Sequence, residues 1–185
     1  MGFMLKTRNL ILRDFSIDDL NGYVAFTQDE KYQRFYSESD CSLEKSRELV
    51  ESFVEQSLES PRTKYQLAIT EKGKQEIIGT CGLRLEAEGQ ASIGCGVARE
   101  QQCSGYAEEA MSMLVHFGFQ ELEVHRVYAE TIEENRAAIN LCKKFGMRVE
   151  AKFIEHRYFK GRWWNTVLLA LLKSEWSRNM SKNCV

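Results

Sequence analysis

Apolar and polar residues alternate along this chain in two rhythms, and the change of rhythm marks its elements. Leu5 to Arg13 reads as one extended segment. Ser16 is an N-cap candidate, with Asp18 and Asp19 in the first turn, where negative charge suits a helix N-terminus. Ile17, Leu20, Tyr23, Val24 and Phe26 form its apolar stripe. Ser42 opens a second helix, with Leu43, Leu49, Val50, Phe53 and Val54 on one side and a charged face opposite. After Pro61 the period falls to two. Tyr65, Leu67 and Ile69 alternate with Gln66, Ala68 and Thr70, as in a half-buried strand. Ile77 to Leu85 and Ala91 to Ala98 are two more strands, and the short turns between the three predict an antiparallel meander.

From there strand and helix alternate. A helix is expected from about Ser104 to Glu121, a strand from Arg126 to Thr131, and a helix from Asn135 to Phe145, stopped by Gly146. Met147 to Tyr158 and Trp164 to Leu172 are extended and flank a turn at Lys160-Gly161. The expected fold class is α/β (α+β), a mixed sheet with helices on its faces. The expected organisation is a single domain over residues 1–178, with a frayed tail over 179–185.

Composition narrows this picture without changing it. The 185 residues are 43% hydrophobic and 28% charged, with one proline. That suits one sizeable globular core. The net charge of −2 gives no global attraction to nucleic acid or an anionic membrane. No apolar run approaches the roughly 18 residues that span a bilayer, and Lys6, Arg8 and Asn9 interrupt the N-terminal stretch against a signal peptide. The six cysteines form no CxxC pair and the three histidines no zinc spacing, so no metal is expected. Reduced thiols and a cytoplasmic location are the expectation.

Chemistry concentrates in Ile93 to Ala110, IGCGVAREQQCSGYAEEA. A strand ends, a short loop containing Gly105 follows, and a helix begins. The first N–H groups of a helix lack intrahelical partners and lie at the positive end of its dipole, so such a start receives anions, notably phosphates. An ordinary strand-to-helix turn has the same spacing.

Gln102-Cys103-Ser104-Gly105-Tyr106-Ala107 matches the Q/R-x-x-G-x-G/A pyrophosphate loop of the GNAT acetyltransferases, which it resembles. Asn135 to Met147, NRAAINLCKKFGM, is similar to the N-x-x-S-x-x-L-x-K-x-G-F helix of that superfamily. Leu5 to Arg13, His125-Arg126-Val127 and Gly161-Arg162-Trp163-Trp164-Asn165 resemble its RimJ/RimL-like ribosomal-protein acetyltransferase branch.

The resemblance implies a GNAT fold, with a mostly antiparallel central sheet in which Ala91–Ala98 and Arg126–Thr131 splay apart. It implies acetyl-CoA as co-substrate and no metal. The pantetheine arm would pair near Cys95 and Val97. The pyrophosphate would sit on the loop of Gln102, Cys103, Ser104, Gly105, Tyr106 and Ala107, with Asn135 beside the arm. Two departures stand out. Cys103 occupies a position where many members have glycine. Ala138 replaces a serine suggested to protonate the departing CoA thiolate, and alanine has no proton to give.

The implied reaction is direct attack of a neutral amine on the acetyl thioester. An α-amine of pKa about 7.8 is roughly 10% neutral at pH 7, whereas a lysine amine near 10.4 is neutral about once in 2,500. Glu130, Glu155 with His156, and Tyr158 are the candidates for moving protons; Glu130, Glu155 and Tyr158 form the catalytic set. Glu108 and Glu109 are expected to complement the helix dipole, and Trp163 and Trp164 to form a buried pair. The acceptor is a primary amine, a protein N-terminus or a small amine, and the protein a monomer or homodimer. The alternative is a non-catalytic acyl-CoA-binding or sensing domain that keeps the fold.

Overall fold

The computed structural model describes residues 2–182, the side chains of 179–182 excepted. The chain forms two compact units, Met1–Arg84 with Gly94–Leu114, and Leu85–Ile93 with Val115–Val185.

In the first unit, β1 (Met4–Lys6), β2 (Leu10–Asp14), β3 (Lys64–Glu71) and β4 (Ile77–Leu85) are neighbours in that order, the first three pairings all antiparallel. The segment Leu5 to Arg13 is therefore a hairpin and not one strand. Its turn closes because the Thr7 N–H donates to Leu10 O, while the Leu10 N–H donates back to the Thr7 hydroxyl. Asp14 ties the hairpin down, accepting from the Phe3 N–H and from Arg62, both at 2.8 Å.

Ser16 precedes a short 3-10 turn, Ile17–Asp19, and α1 (Leu20–Thr27) follows. The Asp19 carboxylate accepts from the Ser16 N–H at 2.8 Å and takes both arms of Arg13. Ile17 lies in that turn, outside the helical period, and is 54% exposed rather than part of the apolar stripe. Ser42 caps α2 (Leu43–Ser57), its side chain accepting from the Lys45 N–H. Leu43, at the first helical position, is likewise exposed. Phe15, Tyr23, Phe26, Val50, Ala68 and Ile77 make the buried cluster, with Leu49, Phe53 and Val54 packed against it. Full burial of each such side chain is worth about 1.5–3 kcal/mol.

The second half of β5 (Gln90–Val97) lies beside β4 in this unit: the Ala98 N–H donates to Ile78 O at 2.7 Å. Its first half belongs to the second unit and runs parallel to β6 (Arg126–Ile132), Gln90 to Ser92 opposite Arg126 to Tyr128. There β6 pairs antiparallel with β8 (Arg162–Leu172), and β8 with the edge strand β7 (Arg148–Phe159). The strand order is β1-β2-β3-β4-β5-β6-β8-β7. Val127, Leu169 and Leu171 are fully buried.

Helix α3 spans Tyr106–Gln120 and α4 Arg136–Lys144, which ends on Gly146 at φ 84. A last helix, α5 (Lys173–Lys182), is absent from the sequence reading and takes in residues 179–182 of the expected tail; 183–185 lie outside the described residues. Helix α5 is polar apart from Trp176 and Met180, so it shows little apolar stripe. It is held instead by Trp176 against Phe119 and His116, and by Glu175, which accepts from the Leu172 N–H.

Candidate functional site

In the first unit, β5 hands over through a 3-10 turn, Arg99–Gln101, to the loop Gln102–Gly105 and then to α3. The Glu109 N–H donates to Gly105 O at 2.9 Å, the first bond of the helix. The N–H groups of Tyr106 and Ala107 precede it and have no acceptor one turn back. Gly105 adopts φ 81, and a Cβ built there meets nothing within 4 Å. Gln102, Cys103, Ser104 and Gly105 are all exposed. The result is an open cradle of backbone donors at a helix start, and it fits a diphosphate. Cys103 sits at φ 65, the left-handed region in which glycine is at ease. Its side chain is exposed and its N–H remains on the loop.

The start of α3 is anchored by a residue whose assigned role was smaller. Glu109 accepts from the Asn9 N–H at 2.6 Å, the Asn9 side-chain amide at 2.8 Å and the Thr7 hydroxyl. Burial would raise its carboxyl, but the bonds from Asn9, Thr7 and Leu10 outweigh it and hold the group below the usual carboxylate range. Glu109 therefore clamps the β1–β2 turn to α3 as well as complementing the dipole. The Tyr106 hydroxyl donates to Glu71 at 3.4 Å.

On β5, Val97 is buried, and burial pushes the Cys95 thiol up to about 12, so Cys95 stays a neutral thiol. Its Sγ lies 4.0 Å from Ala107 O. Two residues that sequence reasoning missed stand over this strand. Tyr32 packs so closely on Gly96 that an added Cβ would lie 3.2 Å from its ring. Tyr36 stacks on Tyr32, with centroids 5.3 Å apart. The only signal was a pair of tyrosines four apart in a loop without period.

In the second unit, the Asn135 side chain caps α4, accepting from the Ala138 N–H at 3.2 Å. Glu130 accepts from Arg157 at 3.0 Å and lies 3.8 Å from His156 Nδ1, which in turn meets the Thr166 hydroxyl at 2.7 Å. Glu155 lies in a bulge of β7 at φ 50, its N–H donating to Asn165 Oδ1. Asn165 also bonds Glu133 through its side chain and its carbonyl, so it joins the bulge to the segment before α4. Tyr158 is 62% exposed and edge-on to Trp163. Trp164 is buried and stacks on Phe159, whereas Trp163 is 56% exposed: neighbours on a strand face opposite ways, so the expected buried pair is split. Among the described residues, no group of three or more His, Cys, Asp or Glu could hold a metal ion, and no helix is long and apolar enough to cross a membrane.

Comparison with known proteins bears directly on this geometry. Residues 9–148 match the family described as acetyltransferase (GNAT) domain. The chain is 28% identical over 178 residues to the uncharacterized N-acetyltransferase p20 of Bacillus licheniformis, covering 94% of this chain and 98% of that one. An acetyltransferase (GNAT family) from Bacillus anthracis superposes with a TM-score of 0.81 at 23% identity, covering 94% of this chain and all of the other. Mycobacterium smegmatis RimJ, solved in complex with CoA-disulfide, gives 0.79 at 16% identity, covering 97% of this chain and 94% of that one. The cradle before α3 and the Asn135-capped helix lie within the matched residues, and the chain belongs to the acetyltransferase (GNAT) domain family, with the GNAT fold.

Proposed function

We propose that this protein transfers the acetyl group of acetyl-CoA to a primary amine, a protein N-terminus or a small amine, by direct attack in a ternary complex. The observation that carries this reading is the open loop at Gly105, where backbone donors and a left-handed glycine leave room for a diphosphate. The N–H groups of Cys103 to Ala107 hold the pyrophosphate. The backbone of β5 at Cys95 and Val97 holds the pantetheine arm. That the pairing of β5 with β6 covers only Gln90 to Ser92 supports this, because the rest of β5 is not paired in that register. Asn135, whose side-chain oxygen is engaged at Ala138, keeps its amide donors for the cofactor arm.

Chemistry then needs a neutral amine and a route for its proton. Glu130 is the base in this reading, its carboxylate kept ionised beside Arg157. Glu155 and Tyr158, on β7, are assigned to the acceptor side. An α-amine is the favoured acceptor, since it needs far less deprotonation than a lysine amine. The RimJ-type neighbour makes a protein N-terminus the first acceptor class to try.

The test is calorimetry with acetyl-CoA on the wild type and on Gly105→Glu, followed by a screen of amines that includes spermidine and an alanine-initiated peptide. Binding lost in the variant and turnover with one of these amines is the expected result. Binding without turnover on any amine supports the non-catalytic acyl-CoA sensor, which Ala138 favours. No binding by the folded wild type would overturn both.

A further inference from the structure

The direct reaction leaves one proton unassigned. The N–C bond forms, the C–S bond breaks, the base takes the amine proton, and CoA departs as a thiolate that must be protonated. Ala138 has no hydroxyl for this. The loop between α1 and α2 brings two hydroxyls to β5.

Tyr32 lies against Gly96, with its hydroxyl oxygen 3.3 Å from where a Cβ would stand. Tyr36 stacks on it with the ring planes 10° apart. The two hydroxyls are hydrogen-bonded, and the bond favours the protonated form of Tyr32 and the ionised form of Tyr36. Tyr32 is therefore the donor. A phenol carries one proton, so Tyr36 accepts from Tyr32 and still has its own proton to give.

The pair is held in place locally. Asp29 Oδ1 accepts from the N–H groups of Lys31 and Tyr32, both at 2.9 Å, and Phe26 meets Tyr32 edge-on. The Ser37 hydroxyl bonds Asp40 at 2.6 Å, and the Gln28 side chain donates to Cys41 O at 2.6 Å. Burial raises both hydroxyls above the ordinary phenol value, Tyr32 well above it. Asp40, Cys41 and Cys95 are the other titratable groups facing Tyr36. Both phenols thus remain protonated through neutral pH.

We propose that Tyr36, with Tyr32 as its hydrogen-bonding support, protonates the departing CoA thiolate. The inference rests on the reading of β5 as the strand that holds the pantetheine arm, whose end carries the reacting sulfur. After transfer, the Tyr32 hydroxyl stabilises the Tyr36 phenolate until water returns the proton. Tyr36 is the catalytic residue of the pair and Tyr32 a positioning residue.

The test needs no turnover at first. Protein carrying 3-fluorotyrosine is titrated with CoA and with desulfo-CoA and followed by fluorine NMR, Tyr36→Phe assigning the resonance of Tyr36. A shift of that resonance with CoA but not with desulfo-CoA, at matched saturation, is the expected result. An equal response to the two, or none while both bind, overturns the proposal. Failure of either nucleotide to bind overturns the cofactor reading, and this inference with it. With acetyl-CoA and an alanine-initiated peptide, Tyr36→Phe lowers kcat by about 100-fold with KM for acetyl-CoA nearly unchanged; an unchanged kcat contradicts the assignment.

Discussion

Glu109 collects donors from the β1–β2 turn and ties that turn to the helix that opens the cofactor loop. Charge-assisted bonds of this kind contribute about 1.5–3 kcal/mol. Glu109→Gln keeps the shape and loses the charge, so a loss of about 1–2 kcal/mol is expected by urea denaturation at pH 7. The sign with pH follows from the depressed carboxyl. Stability is complete above the ordinary value of 4.5 and is lost as pH falls through the lower folded value. The gap between wild type and variant therefore closes in acid; a gap that persists at pH 3 would mean that the loss was steric. Cys103 is the second informative residue. At φ 65 a β-branched side chain is strained, so Cys103→Val is expected to cost about 1–2 kcal/mol in thermal melts, while Cys103→Gly leaves acetyl-CoA affinity within about twofold.

At the scale of elements, caps and glycines made the sequence readable. Ser42 and Asn135 start α2 and α4 where expected, and Gly146 ends the latter. Ser42→Ala should lower stability by about 1 kcal/mol, read from the helical signal in a urea melt; no change would mean that water replaces the cap. The cofactor loop was legible for the same reason, because glycine and a helix start leave a local signature. Three features were not. Thr7-Arg8-Asn9 looks extended, and the turn there depends on side-chain bonds rather than on turn residues. Helix α5 owes its place to Trp176 rather than to an apolar stripe. Tyr32 and Tyr36 reach β5 through an Asp29-capped turn and a 3-10 turn, which no period reports.

At the scale of the whole chain, a net charge of −2 means that phosphate recognition rests on local N–H donors and not on a positive field. Raising salt from 50 to 300 mM is therefore expected to weaken acetyl-CoA binding by less than about threefold; a tenfold loss would point to basic side chains as the main anchors. The edge strand β7 has a different consequence, for behaviour at high concentration. It is twelve residues long and almost wholly exposed, with Val149, Phe153, Ile154 and Tyr158 facing solvent. A straight strand of that kind would template fibril growth. Between Phe153 and Arg157 it carries two residues more than β8 opposite, and Glu155 turns into the left-handed region. That kink breaks the ladder a second chain would need, so the bulge acts as a guard against self-templated aggregation.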